Sequence, residues 1–461
     1  MKQDNQLIIL RDEPVTKALI HLAVPSIMSS LVMTLHNLID TICISYLKDN
    51  LMIAATTVAL PIMVLIHAFG DGMGIGAGSY IGRLLGAKEE EKVEKTVSTV
   101  MAMAVILSVT AMIISVTVLK ELVGLFTDDA GVIEYAYQYM QILTMGAAFS
   151  VVKQVCTHLL RSSGDVQFPM KTVMLEIAVN SLLNPVLMFD FGLGLKIRGA
   201  ALATVLAQGL SAVILFVRLV THKTIIRWKI GNFKMNWESV KEIWNVGAAV
   251  LIRNGLPSLS YGLFAQSAGL FGTDFVAAAG IARRGQHIAN FVVMGMSQGY
   301  QPFASFNYGA KNKQRLIEAL KKSLVFTTVY SCIMGAVFFV IPNLVLRIIT
   351  PDPHLIEIGS YVLRGYAVGI PVVGIYQILA GSFQALGKGK LSFLTAVLRQ
   401  GIIYWPAIVL LPRLLGIQGF AMVQPLCDWI SMIVVVVLSR KMIQEIKNMS
   451  DEKEDVTKQS K

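Results

Sequence analysis

Asp40 stands in the run HNLIDTICISYL with apolar residues on both sides. A carboxylate in such a run has three chemistries open to it: it can carry a proton, help to hold a small cation, or pair with a basic group and tie two helices together. Asn180 and Asn184 are spaced i,i+4, so helical geometry sets both amides on one face. Pro185 follows them and is expected to interrupt the helix and free backbone carbonyls. Thr204 can add a hydroxyl oxygen. Amide, hydroxyl and carbonyl oxygens suit a hard cation, and they equally make hydrogen bonds between helices. His36/Asp40 and His67/Asp71 form two HxxxD pairs, each on one helical face. His and Asp suit transition metals, but neither pair brings a third defined ligand. A histidine that orients its neighbour is the more ordinary reading. The glycine-rich stretch GDGMGIGAG at 70–78 lacks GxGxxG spacing, and GKGK at 387–390 lacks the P-loop pattern.

Lys153, Glu176, Arg253, Arg283, Arg284, Arg364 and Arg399 also fall in or near apolar runs, where opposite charges are expected to pair across helices. Arg283 and Arg284 are expected to face a cleft or to snorkel. The 22 methionines and the aromatics Tyr137, Tyr139, Phe149, Tyr261, Phe264, Tyr300 and Tyr376 either line a pliable cavity for lipophilic ligands or simply pack. Candidates for substrate contact are His36, Asn37, Tyr261, Phe264, Gln266 and Arg284. The four cysteines are dispersed and show no CxxC or Cys/His spacing, which reads as reduced packing residues.

The elements that must position these groups are transmembrane helices. The chain is 54% hydrophobic and only 15% charged over 461 residues. A soluble domain carries about 25% charged residues, so this surface calls for lipid. Twelve spans are read at roughly 15–45, 51–83, 96–120, 132–158, 168–190, 197–220, 243–270, 275–304, 320–348, 355–383, 391–412 and 417–439. The net charge of +11 raises the question of nucleic acid, but the basic residues are placed by membrane topology. Lys and Arg crowd the N-terminus, the even-numbered loops and the C-terminus, and thin out in the odd-numbered loops. Positive residues mark the cytoplasmic side, so both termini are expected there. No cleavable signal pattern precedes the first span.

The sequence is also written twice. GAKEEEKVEKTV at 86–97 returns as GAKNKQRLIEAL at 309–320, and GLKIRGAALAT at 194–204 is echoed by RLLGIQGFAMV at 413–423. The offset stays between about 220 and 225 residues, the mark of a duplicated bundle with a substrate site at the repeat interface. The expected organisation is an N-lobe over 1–217, a cytoplasmic linker over 218–246 with Trp228, Trp237 and Trp244 at the interface, a C-lobe over 247–442, and a disordered cytoplasmic tail over 443–461. The fold class is all-α integral membrane, with two six-helix lobes related by a pseudo-two-fold axis along the membrane normal.

The first-span LAVPS…LID, the N…NP…G…RGAALAT run of spans five and six, GxGAGSYIGRLLGAK, and QGYQPFASFNYGAKN at 298–312 together resemble the multidrug and toxic compound extrusion (MATE) family. The resemblance covers about residues 13–440. It implies alternating access between two lobes, driven by a proton or sodium gradient, with no cofactor beyond that ion. It implies export of amphipathic, often cationic, organic compounds. The short loops and the lack of a targeting peptide point to the cell inner (plasma) membrane, and the protein is expected to be a monomer in contact with membrane lipids. It makes Asp40 the coupling carboxylate, with Asn180, Asn184 and Thr204 at the matching ion positions. Asn184 stands where an acid is common in the family, and one negative charge fewer weakens a sodium site. Span 7 carries no acidic residue, only Gln266, which confines coupling to the N-lobe. Arg284 matches a basic residue frequent in span 8 of the multidrug subgroup.

Two other readings stay open. A lipid-linked saccharide flippase of the same superfamily would want a cationic cavity, and Arg253, Arg283, Arg284, Arg364 and Arg399 could supply it. An intramembrane metal-dependent enzyme would want a clustered catalytic set. The sequence has no HExxH, and its GxSxG match, GMSQG at 295–299, lies inside an apolar run with no strand-to-helix turn to expose the serine, so the chain is expected not to be an enzyme.

Overall fold

The structure is a computed structural model, and it describes residues 2–47, 49–124, 127–221, 225–226 and 235–449. Helices account for 88% of it. In the first half these are α1 (Lys2–Arg11), α2 (Val15–Ser45), α3 (Asn50–Gly86), α4 (Glu90–Thr117), α5 (Leu119–Gly124), α6 (Ala130–Met145), α7 (Ala147–Ser162), α8 (Gln167–Met188) and α9 (Lys196–Val220). The second half has α10 (Trp237–Gly269), α11 (Thr273–Gly309), α12 (Lys313–Val340), α13 (Pro342–Arg347), α14 (Pro353–Ala367), α15 (Ile370–Ala385), α16 (Gly389–Val397), a π-helical turn over Leu398–Ile402, and α17 (Tyr404–Lys447). Trp237 therefore opens α10 itself. Trp228 and the tail from residue 450 lie outside the described residues.

Among the described residues, six helical segments are long and apolar enough to cross a membrane, and two bent pairs, α6–α7 and α14–α15, raise this to eight. The fold has twelve crossings. α8, α10 and α11 carry polar and charged residues and fall outside that count of six to eight, and Gly416 splits the last 59-residue stretch at a positive φ of 61°. Such a backbone is open to glycine at no steric cost.

The described residues form two compact units. The first comprises Met28–Gly247 with Met1–Asp12; the second comprises Glu13–Ile27 with Ala248–Lys461. Thus α2 gives its start to the second unit and α10 gives its start to the first.

The duplication is visible in local chemistry. Asp129 caps α6 by accepting from the Gly131 amide at 2.8 Å. Asp352, its counterpart at the repeat offset, caps α14 by accepting from the His354 amide at 2.9 Å. The α6–α7 and α14–α15 pairs then bend by the same 51°. In the first unit α3 meets the start of α10 through Gly72 and Gly76. A Cβ on Gly76 would stand 2.2 Å from the Ile243 carbonyl oxygen. In the second unit α11 meets the start of α2 through Gly295 and Gly299, where a Cβ would stand 2.5 Å from the Cα atoms of Ile27 and Ala23 respectively. Small residues let backbones approach in lipid, where no hydrophobic force draws helices together. Both crossings use the same i,i+4 glycine pair, and the second pair follows the first at the offset that relates Asp129 to Asp352. The repeat is first of all a repeat of helix contacts.

Candidate functional site

α8 is turned inside out relative to a helix in water. Beyond Lys171 its outward positions are apolar, with Leu182 and Val186 exposed, while Thr172, Glu176, Asn180 and Asn184 are buried at successive i,i+4 steps. Polar groups in a span face the bundle because lipid gives them no partner. Asn180 donates through Nδ2 to Thr204 Oγ1 on α9 at 3.3 Å, and Asn184 donates through Nδ2 to Asn180 Oδ1 at 3.0 Å. Asn180, Asn184 and Thr204, read from the sequence as one oxygen-bearing set, are therefore one hydrogen-bonded chain. Pro185 does not end α8 as expected. It lies within the last turn and the helix continues to Met188: proline's fixed φ is close to helical, and what it removes is the one amide that would bond to the preceding turn.

One turn below Asn180, Glu176 accepts a hydrogen bond from Lys153 Nζ of α7 at 2.8 Å, with side-chain exposures of 5% and 8%. The other Glu176 oxygen, Oε2, is buried without a partner among the described residues. His67 stands within electrostatic reach of this pair and of Asp71. Asp71 pairs with His158 of α7 at 3.2 Å across helices. Sequence spacing had pointed to His67 for that role, since local spacing says nothing of which neighbouring helix packs against a face.

His36 is buried on α2. Asn37 and Asp40 lie on α2 by their backbone, and their side chains are outside the described residues. The end of α2 is nonetheless placed: Ile44 packs with Met188 of α8 and Ala200 of α9. Among the described residues, no three His, Cys, Asp or Glu side chains gather as a metal site.

The second unit holds a different chemistry. Phe264 is buried and stacks on the exposed Tyr261, with ring centroids 5.9 Å apart. Arg283 of α11 lies over both rings, 5.3 Å from Tyr261 and 4.9 Å from Phe264. Arg284, favoured in the sequence, is exposed on another face, and Gln266 is likewise exposed just beyond Phe264. Which of two adjacent arginines turns inward depends on the helix rotation that packing sets. Arg399, in the π-helical turn, binds Asp428 of α17 through Nε and Nη2, each at 2.8 Å, and stands over Tyr376. Sequence reasoning did not single out Asp428; its place beside Cys427 in an apolar run was the available signal. Tyr300 accepts from Ser382, and Tyr376 donates to the Thr395 carbonyl; both rings belong to the buried core.

Twelve crossings, a duplicated pair of glycine-packed units and buried polar stripes define a polytopic membrane transporter fold. The MatE family model matches residues 25–186 and 251–409. The chain belongs to that family, the MATE transporters. It is 24% identical over 447 residues to the multidrug export protein MepA of Staphylococcus haemolyticus, covering 95% of this chain and 97% of that protein. To MepA of Staphylococcus aureus strain MSSA476 it is 25% identical over 443 residues, with the same coverage. Among solved structures it is similar to an outward-facing multidrug resistance MATE transporter of the MOP superfamily, at a TM-score of 0.88 and 24% identity over 96% of this chain and 98% of that one. It is similar also to a MOP superfamily transporter from Pyrococcus furiosus described for the reverse polarity of its binding pocket, at a TM-score of 0.89 and 22% identity over the same shares. These structures share the fold.

Proposed function

We propose that this protein is an ion-coupled antiporter that exports amphipathic, often cationic, drugs and toxic organic compounds by alternating access, with Asp40 as the coupling carboxylate. The register of three helices supports this reading. Ile44, Met188 and Ala200 pack together. Position 40, Asn184 and Thr204 each stand one i,i+4 step along α2, α8 and α9 from one of them. That register supports reading position 40 together with the Asn180–Asn184–Thr204 chain. A proton or a sodium ion is the coupling ion. A sodium ion would draw on the oxygens of Asn180, Asn184 and Thr204, whereas a proton would need only the carboxylate. An ion and a cationic substrate that compete for one carboxylate exchange without further machinery, because coupling needs only different affinities in two states. The cargo relation follows the multidrug export named for the staphylococcal relatives. The distribution of Lys and Arg supports cytoplasmic termini; in this reading the protein acts as a monomer in the inner, or plasma, membrane, without a cofactor beyond the ion.

The test is efflux of a fluorescent cation from cells expressing the chain, wild type against Asp40→Asn, with proton and sodium gradients collapsed in turn. Loss of efflux in Asp40→Asn, at unchanged membrane level, is the expected result, and the gradient whose collapse stops transport names the ion. Asp40→Asn as active as wild type, or no export across a broad cation panel, overturns the reading.

A further inference from the structure

Three half-buried arginines in the spans of the second unit differ in what neutralises them. Arg399 is matched by Asp428. Arg253 donates to Gln384 Oε1 at 3.3 Å and to Asn254. Arg283 makes neither an ion pair nor a hydrogen bond among the described residues: its Nη1 is buried without a partner, and its neighbours are the faces of Tyr261 and Phe264. A guanidinium stays charged at every accessible pH. Ring faces attract it, yet they offer nothing to its in-plane N–H donors. His287, one turn along α11, lies within electrostatic reach of both Arg283 and Arg399, and Tyr366 and Tyr404 lie within reach of Arg283. The local field is therefore cationic, and Asp428 is already committed to Arg399. Tyr261 and His287 are exposed while Phe264 is buried, so the site is an aromatic shelf with a fixed cation above it.

We infer that Arg283 with Tyr261, backed by the buried Phe264, forms a receptor for the carboxylate of an aromatic organic anion or zwitterion, the guanidinium taking the acid and the exposed Tyr261 ring taking the aromatic group. A planar fork suits a carboxylate because two parallel N–H bonds match its two oxygens. The inference rests on the export reading for its biological meaning, since it names the residue that would receive an acid group on the cargo. The binding itself does not need that reading.

The experiment uses the full chain in nanodiscs of phosphatidylcholine and compares binding of 2-naphthoate with that of neutral 2-naphthamide, with empty discs subtracted. Wild type should prefer the acid by about tenfold or more, the span of one charge-assisted bidentate contact. Arg283→Gln should bind acid and amide alike. Arg283→Lys should keep part of the preference, because it keeps the charge and loses the fork. Should Arg283→Gln fail to fold, Arg283→Lys and Tyr261→Leu carry the test, each with a reduced preference. Arg364→Gln, which replaces an exposed arginine bound to the Phe339 carbonyl, should behave as wild type. Equal binding of acid and amide by wild type overturns the proposal, as does a preference that survives in Arg283→Gln. Displacement of naphthoate by phosphatidylglycerol in the disc, or by millimolar inorganic phosphate, also overturns it and assigns the site to a lipid or free phosphate group. No gradient enters this assay. Failure here with cation efflux intact sinks only the anion receptor, and acid binding without any efflux sinks only the export reading.

Discussion

The two units share a skeleton and differ in the charge they bury. Glu176 of α8 and Arg399 of the π-helical turn are counterparts at the repeat offset, the same offset that relates Gly72 to Gly295 and Asp129 to Asp352. At the first position a carboxylate is matched by Lys153. At the second a guanidinium is matched by Asp428 and covers Tyr376, which is itself the counterpart of Lys153. One backbone plan thus holds an amide-rich stripe in one unit and an arginine–aromatic cluster in the other. Duplication kept the contacts that close the backbone and released the side chains between them. Helix approach tolerates little change of volume, whereas a buried polar group needs only some partner of the right sign.

Breaking one partner of a buried ion pair should have the largest effect, about 3–5 kcal/mol, because the remaining charge is left uncompensated. Lys153→Met and Arg399→Met should each lower the thermal midpoint of the purified protein sharply. The double change Lys153→Met with Glu176→Leu should recover most of the loss. If it does not, the first-unit pair does more than satisfy itself, and the two units differ more deeply than in sign.

The glycine crossings come next. Gly76→Val and Gly299→Val each place a side chain against backbone and should cost about 1–3 kcal/mol or more. Similar losses at both sites, measured by thermal unfolding in one detergent, sharpen the symmetry of the skeleton. A loss at only one site breaks it. Gly255→Ala, which meets nothing within 4 Å, is the control.

The smallest effect belongs to the shelf itself. Tyr261→Leu removes one of two cation–π faces from a half-exposed arginine, worth about 0.5–1 kcal/mol. A larger loss of stability would mean that Tyr261 holds the unit together, in the manner of Glu176.

Much of this was legible in the residues. The i,i+4 spacing of Asn180 and Asn184 forecast one face, and the structure adds Glu176 to the same stripe. The GAK repeats forecast the duplication, down to Lys88 and Lys311 at positive φ in both copies. Arg283 could not be told from Arg284, nor His158 from His67 as the partner of Asp71. Such choices turn on helix rotation and on which helices become neighbours.

By itself the sequence determined the membrane class, the crossings, the duplication and the buried polar stripe. Each follows from a one-dimensional periodicity that lipid enforces, since apolar runs must span and polar groups must turn inward. The tertiary structure alone decided that α2 and α10, the first long helix of each half, split between two units at a glycine crossing. It alone decided that Lys153 meets Glu176, that Arg399 meets Asp428, and that Arg283 meets aromatic faces in place of an acid. Those outcomes depend on side chains from distant parts of the chain arriving within hydrogen-bonding reach of one another, which packing sets and local spacing does not encode.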